Sequence, residues 1–299
     1  MNENGLVESL WSTREHRFRF GSTLPGVAAH ASYEVEVSVL GPVVVRGAAR
    51  PFARAWTLDL VAYLACHRGP VKSDIWATAL WPDRVMAAPT LHSIASSARR
   101  ALGCSTDGRD HLPRGHGSLQ LGPTVGTDWD LFNDLASTSD PQLWRAALCL
   151  VRGRPLSGLR NSDWAIFDGT VTELEEGVVN LAVRLGKHFL EVANPREAAC
   201  AARLGLRASP YDERLYRLVM LSADQEGNPA GVEAAMRDLI CLLGGTGVLE
   251  RRSLGTGDIG LFNLVHPETS ALYERLLRHR ESSETGESEA AGRRDLVRL

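Results

Sequence analysis

The segment from Pro89 to Leu102 constrains the fold of this 299-residue chain more than any other. Pro89 suits the first turn of a helix, where its missing N–H costs no hydrogen bond, and Gly103 suits the cap that ends one. The spacing therefore predicts an amphipathic helix over 89–102 with one buried face. The apolar residues that recur at helical spacing and form this face are Leu91, Ile94, Ala95, Ala98 and Leu102.

The opposite face of the predicted helix is polar and contains no acidic residue. Such a slim face fits a DNA major groove, where serine, histidine and arginine read base edges and arginine also binds phosphate. The same pattern is typical of the solvated face of an ordinary amphipathic helix. The neighbouring segments therefore have to show whether this helix belongs to a DNA-binding fold. The polar residues are Ser93, Ser96, Ser97 and Arg100, with His92 and Arg99 on one flank.

The segments around this helix follow the order of a winged helix-turn-helix. Alternating valines over 35–39 predict a strand, and Gly41-Pro42 predicts a turn before a second strand over 43–46. Helices are predicted over 54–66 and 73–80, and a hairpin with its tip at 115–117 follows the third helix. In this architecture the third helix enters the major groove and the hairpin, or wing, contacts the backbone. The polar residues of the predicted wing are Arg109, His111, Arg114 and His116.

Charge and composition restrict the function classes only mildly. The formal net charge of -3 argues neither for nor against nucleic acid. Residues 33–127 carry ten Lys and Arg against seven Asp and Glu, which leaves a net charge of -6 on the rest and a basic N-terminal module. No apolar run approaches the roughly 20 residues that a membrane helix needs. The five cysteines are at least 38 residues apart, so no zinc or redox pair is predicted, and their odd number without a signal peptide indicates the cytoplasm.

The second half of the chain contains a weak internal repeat. Asn194-Pro195 and Asn228-Pro229 are 34 residues apart, the period of tetratricopeptide helix pairs. Because each pair cannot bury its apolar face alone, neighbouring pairs are expected to stack. Residues that match at the same offset are Leu181 with Leu215, Ala201 with Ala235 and Arg203 with Arg237. Helices are predicted over 141–152, 164–192, 195–207, 211–226, 229–243 and 267–280, and three glycines make the second of these prone to break.

The sequence contains no motif that indicates catalysis. It has no paired-histidine metal motif, no Gly-x-Ser-x-Gly turn and no dinucleotide fingerprint. The glycines at 244–247 are not a phosphate loop, because no Gly-Lys-Ser/Thr follows them. We therefore expect no enzyme activity, no cofactor and no bound metal. Residues 1–32 are expected to be a loosely ordered leader, and the polar segment 281–299 a disordered tail.

Several runs of sequence carry a family resemblance. Four runs in the first half resemble the DNA-binding half of the actinobacterial antibiotic regulatory proteins, the SARP family. They are VEVSVLGPVVVRG, TLDLVAYLACHRGPVKSDIWATALWPD, APTLHSIASSARRALG and TDWDLFNDLA. Four runs in the second half resemble the bacterial transcriptional activation domain that follows in that family. They are LVRGRPLSGL, SDWAIFD, ASPYDERLYRLVMLSADQEGN and VHPETSALYERLL. The resemblance covers Tyr33 to Arg278. It implies an α+β winged helix-turn-helix over 33–127 and an all-α, tetratricopeptide-like domain over 128–280.

The resemblance also implies a function and shows two departures. Family members bind direct repeats in promoters and recruit RNA polymerase to specialised-metabolite genes. Where the family typically has arginine in the reading helix, this chain has His92 and Ser97, although Thr90-Leu91 and the run from Arg99 to Leu102 are retained. Because each arginine that binds a phosphate strengthens binding and steepens its salt dependence, these two replacements are expected to weaken binding and flatten that dependence.

We therefore predict a cytoplasmic transcriptional activator that binds double-stranded promoter DNA. RNA polymerase or another protein is expected on the helical domain, no membrane is expected, and a homodimer is left open. The alternative is a tetratricopeptide adaptor whose winged helix no longer binds specific DNA. Base edges or groove walls are assigned to Thr90, His92, Ser93, Ser96 and Arg99. The DNA backbone is assigned to Arg54, Trp81, Arg100, Arg114 and His116, with packing beneath the reading helix as the other role for Trp81.

Overall fold

The computed structural model describes residues 33–115, 117–244 and 264–278. The leader expected over 1–32, His116 at the expected wing tip and the tail expected over 281–299 lie outside the described residues. Within the described part, small sheets occupy the N-terminal region and helices make up most of the rest, as the sequence indicates. The strands are β1 (Val35–Ser38), β2 (Val44–Arg46), β3 (Val71–Lys72), β4 (Ser118–Leu119) and β5 (Val125–Thr127).

A three-stranded sheet in the order β2-β1-β5 forms one wall of the N-terminal region. β1 pairs antiparallel with β2 across the Gly41-Pro42 turn, and β5 returns after the helices to pair parallel with β1. Val35 and Val37 are both 0% exposed, which is what their alternation predicts. The sheet therefore has one face in the core.

Three helices pack against this sheet, close to their predicted bounds. They are α1 (Ala55–Cys66), α2 (Ser73–Leu80) and α3 (Ala88–Leu102). α1 lies at the centre, and six consecutive residues from Leu60 to Ala65 are buried. Such a helix is apolar nearly all round because neighbours cover it on several sides. Trp76 from α2 and Ala98 from α3 complete the core around it.

The predicted wing is built differently from a simple hairpin. β4 pairs antiparallel with β3, which lies between α1 and α2, and no regular strand of the described residues pairs with β4 from the segment before it. Within that segment Cys104 and Asp110 form an isolated antiparallel bridge. The wing is thus a loop that returns to a two-stranded sheet beside the start of α2.

Eight helices make up the remainder of the described chain. Two of them replace the single helix predicted over 164–192, because Gly169 adopts a left-handed φ of +82° between them. Another, over residues 128–136, has no counterpart in the sequence predictions. The eight are α4 (Asp128–Ala136), α5 (Pro141–Cys149), α6 (Asp163–Phe167), α7 (Thr170–Glu191), α8 (Pro195–Ala208), α9 (Glu213–Gln225), α10 (Pro229–Gly244) and α11 (267–278).

The helices after residue 170 stack as successive pairs. α7 pairs with α8 and α9 pairs with α10, with Pro195 and Pro229 in the first turn of each second helix. The pairs pack closely where glycines face leucines, because a Cβ on Gly186 would lie 2.1 Å from Leu218. This is the stacking that the 34-residue offset predicts.

The helical part joins the winged helix over α1 and the end of α2. The amide of Arg160 donates to the Asp59 carboxylate of α1 at 3.2 Å, and the Asn161 side chain donates to the carbonyl oxygen of Leu80. His67 at the end of α1 lies 3.2 Å from the Asp168 carboxylate. One hydrophobic cluster extends from β1 across the expected boundary at residues 127 and 128 into α9. Among the residues that the structure describes, none covers the side of α3 that faces away from α1.

Candidate nucleic-acid interface

α3 is held in place by its apolar stripe and by a glycine cap. Ile94, Ala98 and Leu102 are buried against the core around α1. The helix ends at Gly103, whose φ is +82° and whose Cβ, if it had one, would lie 2.6 Å from Ala49. Only glycine combines that backbone angle with that contact at low cost. Gly103 therefore sets where α3 ends, and the buried stripe sets which face of the helix points outward.

The outer face of α3 is exposed and carries no acid. It combines hydroxyl groups, an imidazole and a guanidinium, which are the donor and acceptor types that contact base edges and phosphates. Ser97 is half-buried, and its hydroxyl oxygen accepts a hydrogen bond from Arg100 at 3.3 Å. The exposed residues of the sequence assignment are Thr90, His92, Ser93, Ser96 and Arg100.

Arg99 has a different place from the rest of this face. It is half-buried, and its Nε donates to the carbonyl oxygen of Leu112 at 2.7 Å. Burial lowers the pKa of Arg99, and the nearby charge of Arg114 lowers that pKa further. Arg99 therefore ties α3 to the wing, and with Arg114 it concentrates positive charge where the two meet.

The wing is anchored beside this contact. Leu112 is fully buried, and His111 is 2% exposed with its Nδ1 2.8 Å from the Thr124 hydroxyl. The prediction that His111 belongs to the polar surface of the wing is therefore wrong, because the ring fills a place in the core. These two anchored residues, which only Pro113 separates from Arg114, fix the point at which the chain enters the wing.

The basic residues of the wing differ in how far their charge is neutralised. Arg109 forms an ion pair with Asp107, and this contact holds the pKa of the Asp107 carboxyl well below its usual range. Arg114 is exposed, and in the described part of the chain no acidic side chain pairs with it. Arg114 is thus the wing cation available to an anionic partner.

Two other assigned residues lie outside α3 and the wing. Arg54 is exposed and directly precedes α1. Trp81 is only 4% exposed, and its ring packs against Trp56 and Trp76 at centroid distances of 5.3 and 6.2 Å. Burial leaves Trp81 no surface for a phosphate, so its place is beneath the helices and not along the DNA backbone.

Sequence reasoning missed two cations next to the exposed face. The amide of Arg50 donates to the carbonyl oxygen of Ala101 at 3.0 Å, which places this exposed residue at the C-terminal end of α3. Arg84, in the turn between α2 and α3, lies over the Trp56 ring at 5.5 Å. The proximity of Arg84 to α3 could have been predicted from its place in the sequence between the two helices. The proximity of Arg50 could not, because it depends on how the chain crosses the end of α3.

The described residues show neither a metal-binding cluster nor a membrane-spanning helix. No group of three or more His, Cys, Asp or Glu side chains in the described ranges could hold a metal ion. None of the helices described here combines the length and apolar character needed to cross a bilayer.

Comparison with known proteins supports the fold. No family model matches the sequence, and no curated protein matches it either. A solved structure of Mycobacterium tuberculosis EmbR, in complex with a low-affinity phosphopeptide, matches with a TM-score of 0.55 and 21% identity. The match covers 88% of this chain and 71% of the EmbR chain. At this identity the likeness shows the fold alone, a region with small sheets at the N-terminus followed by a mostly helical part.

Proposed function

We propose that the chain is a DNA-binding transcriptional regulator of the SARP type, acting as an activator in the cytoplasm. In this proposal α3 enters the major groove and the wing contacts the adjacent backbone. The observation that carries it is the uncovered outer face of α3, which bears no acid while the helical part packs elsewhere on the winged helix. The SARP-like fold shared with EmbR supports the same class of protein.

The side chains divide into two roles in this proposal. Arg99 positions the wing against α3 through Leu112 and presents its remaining N–H groups to the groove. Phosphates are contacted by the exposed guanidinium groups of Arg54, Arg100 and Arg114, and by His116, which the sequence places at the expected wing tip. Base edges or groove walls are contacted by Thr90, His92, Ser93 and Ser96.

The helical domain is proposed to contact a protein, with RNA polymerase as the partner for an activator. The EmbR structure contains a phosphopeptide, so that protein binds a peptide segment. Since the likeness covers 71% of EmbR, we carry over only the class of partner, a protein. A homodimer with its two copies arranged head to tail would let two winged helices occupy the two half-sites of a direct repeat.

A selection experiment followed by binding measurements tests the DNA proposal. The full chain is used to enrich duplexes from a random pool, and the affinity for enriched and scrambled duplexes is then measured by fluorescence anisotropy. We expect the double variant Arg100→Ala/Arg114→Ala to bind about tenfold or more weakly, since it removes two exposed guanidinium groups that bind phosphate. The matched control is Arg196→Ala/Arg203→Ala, which removes the same charge from exposed positions on α8.

The adaptor alternative has one specific observation in its favour. His92 and Ser97 stand where the resemblance implies arginines, so the outer face of α3 has only the guanidinium groups near its C-terminal end. If selection enriches no sequence, and both double variants bind DNA equally, the winged helix serves as a structural module. The regulator proposal would then be abandoned in favour of a protein-interaction function.

A further inference from the structure

A groove of about 700 Å³ runs along the first helices of successive repeats, α7, α9 and α11. Its floor is apolar, with Leu218 and Ala271 among the residues that line it. Lining positions on neighbouring helices are related by the repeat, because Val183 and Arg217 are 34 residues apart. The groove is therefore a product of helix stacking, which is how repeat proteins form extended binding surfaces.

The charged residues of the groove are strongly biased towards one sign. Five basic side chains line it against a single acidic one, and no aromatic side chain lies among the lining residues. The groove thus offers positive charge beside an apolar floor, without rings on which nucleic-acid bases could stack. The charged lining residues are Lys187, Arg214, Arg217, Glu268, Arg275 and Arg278.

Two of these cations are used to hold the helices together. Arg214 contacts the carboxylates of Asp212 and Glu176 at 2.7 and 2.9 Å, and these contacts raise its pKa above the ordinary value. Arg217 donates to the Thr269 hydroxyl at 2.9 Å, and its guanidinium lies 3.4 Å from Glu268. The charge at this end of the groove is largely compensated within the chain.

Lys187 on α7 and Arg275 on α11 are in the opposite situation. Both are exposed and line the same groove from its two outer helices. Across residues 33–115, 117–244 and 264–278, no carboxylate forms an ion pair with either of them. An uncompensated positive pair beside an apolar floor attracts an anionic partner that also has apolar groups.

We propose that this groove binds an acidic peptide segment of a protein partner. Carboxylates of the peptide lie against Lys187 and Arg275, and an apolar side chain lies on the floor formed by Leu218 and Ala271. A peptide segment that carries both acidic and apolar side chains supplies both contacts. The inference extends the proposed function by naming the chemistry of the protein that the helical domain contacts.

Anisotropy titration of the full chain with a labelled peptide that alternates glutamate and leucine tests this proposal. We expect saturable binding that disappears when glutamine replaces glutamate in the peptide. Lys187→Gln/Arg275→Gln should weaken binding about two- to thirtyfold, the effect of two exposed charge contacts. Arg196→Gln/Arg203→Gln should leave binding unchanged, because α8 supplies no lining residue.

A second pair of variants tests the groove itself. Ala271 is exposed on the groove side of α11, so Ala271→Glu and Ala271→Lys both suit a helix surface. The glutamate should weaken binding of the acidic peptide, whereas the lysine should preserve or strengthen it. Equal effects of the two, or equal effects of the α8 control and the groove variant, would overturn the proposal.

Two further measurements separate this proposal from the DNA-binding proposal and from occupation of the groove by the chain's own residues 281–299. Arg100→Ala/Arg114→Ala, which tests DNA binding, should not change peptide affinity, so the two proposals can fail independently. Deleting residues 281–299 should also leave peptide affinity unchanged. A clear gain in affinity after that deletion would mean that the chain's own acidic segment competes for the groove, and would overturn the assignment to a separate partner.

Discussion

The Asp128 carboxylate at the start of α4 lies 3.2 Å from the guanidinium of Arg152, which follows α5. The same carboxylate accepts backbone N–H groups of Val39 and Leu40 at 2.6 and 3.2 Å, so it joins the end of β1 to the helical part. It is 1% exposed, and burial raises its pKa to about 6 although Arg152 and the two amides oppose the shift. The junction between the two halves therefore contains a titrating group.

The stability of the protein should consequently depend on pH through Asp128. Because the pKa is near 3.8 in the unfolded chain and about 6 in the folded one, the folded state binds more protons between these values. The contribution of Asp128 to the free energy of unfolding is therefore fully present below about pH 4. It decreases by up to about 3 kcal/mol as the pH rises through 6. Asp128→Asn removes this dependence.

The measurement is the free energy of unfolding by urea for wild type and variant between pH 4 and 6. We expect the difference, wild type minus Asp128→Asn, to fall as the pH rises. A difference that rises instead would show that Arg152 and the amides hold the carboxyl pKa below its usual value.

Salt dependence should report the phosphate contacts assigned to α3 and the wing. Arg100→Ala and Arg114→Ala should each reduce the slope of log affinity against log salt by about 0.9, the value for one contact with duplex DNA. Arg203→Ala on α8 should leave the slope unchanged. Titrations of one duplex at several salt concentrations provide the slopes, and equal slopes for all four proteins would remove both residues from the interface.

Adding charge to the exposed face should have the opposite effect. His92 is exposed on α3, so His92→Arg can place a guanidinium there without disturbing the core. We expect higher affinity for duplex DNA and a slope steeper by about 0.9. Glu191, near the C-terminal end of α7, is also exposed, and Glu191→Gln serves as a control that adds one unit of positive charge far from α3. An equal gain in affinity for both variants would indicate a response to net charge alone.

Much of the fold was predictable because long apolar periods dominate it. α3 begins one residue before its predicted start and ends at Leu102 as predicted, and the break at Gly169 lies at one of the three suspect glycines. α4 was not predicted, although its apolar residues Leu131, Phe132 and Leu135 recur at helical spacing, because the segment has only nine residues. Its capping box, in which Thr127 and Asp130 exchange hydrogen bonds, was nevertheless readable as a helix start.

The pairing of the wing could not be predicted from pattern. β3 and β4 are two residues each, too short for any alternation, and they come together only because the chain folds back beside α2. The same limit applies to the candidate site. Sequence spacing placed the polar face of α3, but only tertiary packing buries Trp81 and His111 and directs Arg99 to Leu112.

The hydrogen bond from Arg99 should contribute to stability as well as to DNA binding. Arg99→Ala leaves the carbonyl oxygen of Leu112, a fully buried residue, without its donor, which costs about 1–3 kcal/mol. Arg100→Ala should change stability by less than about 0.5 kcal/mol, because that exposed side chain donates its hydrogen bonds to Ser96 and Ser97 of its own helix. Urea unfolding of both variants measures the difference. Equal stability would mean that Arg99 does not hold the wing.

Close packing between α7 and α9 should make Gly186 intolerant of any side chain. In Gly186→Ala the added Cβ would lie 2.1 Å from a methyl carbon of Leu218, so the Leu218 side chain or the two helices would have to shift. Overpacking of this kind costs about 1–3 kcal/mol, which exceeds the roughly 0.5–1 kcal/mol that alanine gains over glycine inside a helix. The matched control is Gly69→Ala, since a Cβ there meets no heavy atom within 4 Å and the backbone angle is ordinary. We expect a lower urea midpoint for Gly186→Ala alone, together with weaker binding of the acidic peptide, because Leu218 lines the groove between these helices. A stable Gly186→Ala variant with unchanged peptide affinity would show that α7 and α9 can move apart without consequence for the groove.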